Sequence, residues 1–195
     1  MTTDLPRGTG GSVLPVMTTI ATTRDHSPYV RSGRHRRVRP RTLHLLDVEN
    51  LVAGRVAGDA VRTMWNEFVD AVDARWEDHS TVAVSTRNAT AAFLALPVGV
   101  RRVVGADEPD GADLALIESV DVDWVAGRFG RVAIGSGDHI FAALAADLRR
   151  RGLDVVQVIG GGRCSTELYR ECTGHLYLPR TRHAAAIGRA RRCDQ

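Results

Sequence analysis

The sequence predicts an α/β domain of three layers, helix on sheet on helix, with a mostly parallel sheet. Short runs of five or six apolar residues recur along the chain, separated by segments whose apolar residues keep helical spacing. The runs are apolar throughout instead of alternating with polar residues, as strands buried on both faces are. Size agrees, since 195 residues that are 44% hydrophobic suffice for one domain with a core, plus tails.

The first strand is TLHLLD (42–47), closed by Asp47. VENLVAGRVAG links it to a helix over 59–76, where Val61, Met64, Trp65, Phe68, Val72 and Trp76 share one face, so both tryptophans are expected in the core. STVAVS (80–85) is the second strand, 88–96 a short helix and VRRVVG (100–105) the third strand. The loop ADEPDGAD (106–113) leads into LALIESV, read as helical, and 121–129 adds another turn or two. There Trp124 either packs under the sheet edge or stacks a base. RVAIG (131–135) is the fourth strand. From Asp138, the run HIFAALAADLRRR places Ile140, Phe141, Leu144 and Leu148 on one helix face. Its last turn carries three arginines, cations at the negative pole of the helix, and Gly152 supplies a left-handed cap. DVVQVIG (154–160) is the fifth strand, followed by GGR, a short helix over 165–172 and a last strand HLYL (175–178).

All 26 basic residues are arginine, which fits a GC-rich genome, and their distribution says more than the net charge of +3. Residues 1–42 carry eight arginines against Asp4 and Asp25, a net +6, and residues 179–195 carry five against Asp194, a net +4. The segment between them is therefore −7. Residues 1–41, rich in Gly, Pro, Ser, Thr and Arg, are expected to be a disordered basic arm, 42–178 the folded domain and 179–195 a basic tail. Such arms either bind a polyanion, by neutralising phosphates and releasing counterions, or only solubilise. Cys164, Cys172 and Cys193 form no C-x-x-C pair, which argues against a zinc site or a disulfide framework and for a reducing, cytoplasmic setting. VLPVMTTIA is too short and interrupted for a secretory segment, and no run approaches membrane-spanning length. Met17-Thr-Thr repeats the Met1 start, so either methionine serves as a start.

In an open parallel sheet, ligands bind beyond the carboxyl ends of the strands, where strand order reverses. Asp47 ends the first strand, Asp138 follows the fourth and Asp113 opens a helix after the third, so all three are expected at one rim. Glu49, Asp107, Glu108, Asp110 and Glu118 lie near them in sequence. Two carboxylates about 4 Å apart repel by roughly 4 kcal/mol at an effective dielectric of about 20, so such a cluster either keeps protons or holds a cation. Oxygen ligands select Mg²⁺ or Mn²⁺, ions that serve phosphodiester hydrolysis by activating water and neutralising the leaving oxygen. Helix capping accounts equally for Asp113 and Asp138, whereas Asp47 closes a buried strand with no helix to cap at once. His139 is either a proton carrier at the rim or a surface residue. GGGR (160–163) either offers backbone N–H groups and Arg163 to a phosphate or is a flexible turn. Gly135 and Gly137 lack the third glycine of a nucleotide fingerprint.

LLDVEN (45–50) resembles the opening motif of NYN domains, members of the PIN-like ribonuclease superfamily, in which a strand ends in D-x-x-N; Asp47 and Asn50 match. VAIGSGDHIFAALAADLRRRG (132–152) is similar to their second hallmark, a strand followed by S-G-D-x-D-F and an apolar helix; Ser136, Gly137, Asp138 and Phe141 align. GADLAL (111–116) is similar to the middle segment, with Asp113 opening a helix. The resemblance covers roughly residues 42–160 in order. It implies a PIN-like (Rossmannoid) fold and a metal-dependent endoribonuclease acting on RNA, with Asp47, Asp113 and Asp138 on Mg²⁺ or Mn²⁺. Asn50 would orient Asp47 or the substrate, with Ser136 and Arg163 beside it. A protein inhibitor or a second copy would be a further partner. The chain departs from the motif at Ile140, which stands where the family has its second Asp. Glu118 and Glu49 are both open as replacements. A catalytically degenerate domain that binds RNA or a protein, and a small phosphatase or nucleotide hydrolase, are the alternatives.

Overall fold

The computed structural model describes residues 40–193. The expected N-terminal arm, apart from Pro40 and Arg41, and the choice between Met1 and Met17 lie outside them. Every apolar run has become a strand: β1 (Thr42–Asp47), β2 (His79–Ser85), β3 (Arg101–Gly105), β4 (Arg131–Gly135), β5 (Asp154–Ile159) and β6 (Gly174–Tyr177). They form one six-stranded sheet in the order β3-β2-β1-β4-β5-β6, every pairing parallel. The chain works outward from β1 to β3, crosses back to the other side of β1, and works outward again to β6. The strand order therefore reverses between β1 and β4, which opens a crevice beyond their carboxyl ends.

Parallel strands need crossovers, and these supply the outer layers: α1 (Val48–Leu51), α2 (Gly58–Val72), α3 (Ala89–Phe93), α4 (Gly111–Glu118), α5 (Val122–Ala126), α6 (Ala142–Arg150), α7 (Thr166–Glu171) and α8 (Pro179–Cys193). Successive strand residues point to opposite faces. Leu43, Leu45, Val132, Ile134 and Val155 pack with Leu116 of α4, Val125 of α5, Leu144 and Leu148 of α6 and Leu168 of α7. Leu46, Val82, Val84, Ala133 and Val158 pack instead with Leu51 of α1, Met64 and Phe68 of α2 and Ala92 of α3. The result is a three-layer α/β/α domain of Rossmannoid, PIN-like architecture, with a core on each face of the sheet. No helix among the described residues is long and apolar enough to cross a membrane.

Two expectations fail for identifiable reasons. The apolar stripe of α2 does not run on to Trp76, because the helix ends at Val72 and Asp73 takes a left-handed conformation, φ 52°. Trp76 consequently stands 95% exposed, while Trp65 stays on the helix, stacked on Phe68. The domain also does not end at 178, since residues 179–193 form α8. Pro179, whose missing N–H costs nothing at a helix start, opens it. Glu67, a buried acid on α2, accepts the N–H groups of Arg180 (2.7 Å) and Thr181 (2.9 Å) and the Thr181 hydroxyl (2.7 Å), pinning that first turn. A net positive charge hid an ordinary helix start from a reading based on composition.

Candidate metal centre

The strand ends bring the acids together. Asp47, 3% exposed, closes β1 and caps α1, which begins at once at Val48, contrary to expectation. Its Oδ1 accepts the Asn50 N–H (3.0 Å) and its Oδ2 the hydroxyl of fully buried Ser136 (2.9 Å). The Ser136 hydroxyl in turn accepts the Asp138 N–H (3.1 Å), so one buried serine ties the acid after β1 to the acid after β4. Ser136 has no surface left to offer a substrate. Asn50 is likewise a strut: its Oδ1 accepts the Gly137 N–H (3.0 Å) across the crevice. Gly137 is required there, because a Cβ would lie 1.7 Å from the Arg163 carbonyl oxygen. The 160–163 loop is thus packed against the rim, and the Ser165 N–H donates to Gly137 O (2.7 Å).

Asp138 caps a 3₁₀ turn (His139–Phe141) that precedes α6, its Oδ1 accepting the Ile140 N–H (3.1 Å). His139 Nδ1 lies 2.8 Å from the same oxygen, on a ring 72% exposed. Ile140, only partly buried, packs against the core cluster that holds Phe141, Leu144 and Leu148. Capping therefore accounts for one oxygen of Asp138. It does not account for Asp113, because the cap position of α4 belongs to Asp110, which has φ 59° and makes no side-chain capping bond. Asp113 Oδ1 is buried and has no hydrogen-bond partner.

Asp110, Asp113 and Asp138 form the tightest group, with one oxygen of each within 4.8 Å of the others. Asp47 lies near enough to Asp113 for each carboxyl to shift the other's titration. At such a separation each ionised pair repels by about 3–4 kcal/mol at an effective dielectric near 20. Burial, then the charges of Asp47, Asp138 and Asp110, push Asp113 up to about 8. Burial likewise raises Asp47, against the hydrogen bonds of Asn50, Asp113 and Ser136. The walls of the pocket, about 360 Å³, add Glu49, Asp107 and Glu108, with Arg87 as a cation at the edge. Asp110 was visible in the sequence only as one of several nearby acids; the signal that would have singled it out is the Asp-Gly pair that lets it adopt a left-handed turn.

Arg163 lines an adjoining cleft of about 510 Å³, with Glu49, Asn50, Gly54 and Asp138 among its other walls. Glu118 is exposed at the far end of α4 and does not line the acidic pocket. Trp124 is 41% exposed against Phe129, with the Arg128 guanidinium over its ring.

The donor set suits a hard divalent cation. It consists of carboxylate oxygens alone, one of them a buried acceptor with nothing to accept, and a cation would replace the proton that burial and repulsion together favour on Asp113. These acids can therefore form a cation-binding cluster at the crevice. No known protein family matches the chain, and no curated protein does. Among solved structures, the chain is similar to a crystal structure of a protein of unknown function from Vibrio parahaemolyticus, at 15% identity over 72% of this chain and 94% of that one, with a TM-score of 0.52. At that identity the likeness shows the fold alone: an α/β chain with a parallel sheet.

Proposed function

We propose that the chain is an NYN-type, PIN-like endoribonuclease that requires Mg²⁺ or Mn²⁺ and acts in the cytoplasm. The observation that carries this reading is the unpartnered Asp113 oxygen among Asp47, Asp110 and Asp138 at the point where strand order reverses. Asp113 and Asp138 would hold the ion, with Asp110 from the left-handed turn and Asp47 behind Asp113. Bound there, the ion would lower the pKa of a water and neutralise charge on the phosphodiester and its leaving oxygen.

The chain's own residues supply the rest. Asp113 gives up its proton when the site is filled, so it contributes a full charge only then. Ser136 and Asn50 keep the two loops in register and leave contact with substrate to the rim. Arg87 and Arg163 stand exposed on either side of the acids and suit the phosphates flanking the one under attack. A polymer uses both arginines, whereas a free nucleotide uses one, which favours RNA over a small phosphate ester as substrate. Asp138→Asn is expected to abolish Mn²⁺-dependent cleavage of a single-stranded RNA while leaving the circular dichroism spectrum unchanged. Chelation of divalent ions should do the same to the unmodified protein. Cleavage at full rate in either case would rule the reading out.

Ile140 favours a second reading, a domain that has lost catalysis and binds RNA, or a protein inhibitor or second copy, without cutting. Salt-sensitive RNA binding without any heat of Mn²⁺ binding would select it.

A further inference from the structure

Glu49 is held more firmly than any other acid in the pocket. It sits on α1, two residues after Asp47, and its Oε1 accepts the Ser85 N–H (2.8 Å), the Ser85 hydroxyl and the Asn88 amide Nδ2 (2.9 Å). Ser85 ends β2 and Asn88 ends the 3₁₀ turn after it (Thr86–Asn88), so the anchors come from the neighbouring strand's rim. The other oxygen, Oε2, has no hydrogen-bond partner among the described residues. Glu49 lines both the acidic pocket and the Arg163 cleft, which it shares with Asn50 and Asp138.

The anchoring does not serve the helix. α1 is a single turn whose start Asp47 already caps. Donors gathered on one carboxylate oxygen instead hold the group ionised and fix its direction. Glu49 thus presents a fixed carboxylate with a free oxygen at the junction of the two cavities. Hard cations take six or more oxygen ligands, waters included, so the three closest aspartates leave places to fill. Position 140 fills none, since its isoleucine packs against the core and offers no ligand atom, and Glu118 is outside the pocket.

We propose that Glu49 holds a water on the pocket's cation, through the oxygen that Ser85 and Asn88 leave free, because its own oxygens lie outside the group of Asp110, Asp113 and Asp138 that come within 4.8 Å of one another, and that Ser85 and Asn88 are positioning residues for it. The inference rests on the reading of the pocket as a cation site. Titration calorimetry with Mn²⁺ on the full chain tests it. Glu49→Gln, which keeps an acceptor for Ser85 and Asn88, is expected to weaken binding by about tenfold or more, and Asn88→Ala by about threefold. Glu118→Gln should leave the affinity unchanged. Wild-type affinity in Glu49→Gln overturns the inference while the cation site stands. Should that variant fail to fold, unchanged affinity in Asn88→Ala has the same force. A wild-type protein that gives no heat with Mn²⁺ overturns the cation site, and Glu49's role with it.

Discussion

The β1–β2 pair buries a carboxylate at each end, and the two are treated in opposite ways. At the amino end, Asp78 has a side chain 2% exposed, with Oδ1 accepting the Thr42 N–H (2.8 Å), Oδ2 accepting the Arg75 N–H (2.9 Å), and His44 Nε2 at 3.9 Å. At the carboxyl end, Asp113 has a buried oxygen with no partner and faces other acids. Burial of an acid is therefore not what marks a site. A satisfied acid binds the chain to itself; an unsatisfied one, crowded by its own kind, stores a repulsion that a ligand can relieve.

The largest effect should come from removing that repulsion. Asp113→Asn is expected to lower Mn²⁺-dependent RNA cleavage by about three orders of magnitude, the several kcal/mol that metal-ion catalysis supplies, yet to raise the melting temperature of the metal-free protein at pH 8. Asp78→Ala should do the reverse. It strands two backbone donors and is expected to cost about 2–4 kcal/mol in urea unfolding, with kcat per folded molecule unchanged. If both substitutions destabilise alike, the two ends do not differ as described.

Ile140 tests the boundary between core and site. Ile140→Asp sets an acid against the apolar cluster of Phe141, Leu144 and Leu148 and removes apolar contact at a partly buried position, so a loss of about 2 kcal/mol in stability is expected. It should also strengthen Mn²⁺ binding, and more so in a Glu49→Gln background, where a charge has been withdrawn. An unchanged affinity in the parent protein means that the place is already filled.

The strands and both core faces were legible because periodicity reports burial directly: Leu43 and Leu45 face one helix layer and Leu46 the other, as the unbroken run TLHLLD implied. The rim was legible in part. Asp47, Asp113 and Asp138 do line one crevice, but Asp110 joins Asp113 and Asp138 within 4.8 Å, and no spacing rule announces a left-handed aspartate. The resemblance implies Ser136 beside the substrate and Asn50 orienting either Asp47 or the substrate; the bonds both make run inward, to Asp47 and Gly137, and depend on β1 and β4 being neighbours. The failures at Trp76 and α8 share a cause. Helix ends depend on one residue's backbone or one remote carboxylate, and neither Asp73 nor Glu67 alters the pattern of apolar residues.

The last expected effect is a slope with pH, and its sign separates the two ends. Asp113 has an ordinary value of 3.8 and is pushed up to about 8 in the folded chain. Between those limits the native state holds a proton that the unfolded chain has released, so stability falls as pH rises through the window. Other groups titrate there as well, but the difference in melting temperature between the wild type and Asp113→Asn isolates this one. Without divalent ions, that difference should widen against the wild type from pH 5 to pH 8. Saturating Mn²⁺ binds the ionised form and stabilises only the native state, so it should flatten or reverse the slope in the wild type and leave the variant nearly unmoved. A wild type whose stability rises over the same range relative to Asp113→Asn would mean that Asp113 is ionised in the empty protein, and the repulsion assigned to the rim would then be absent.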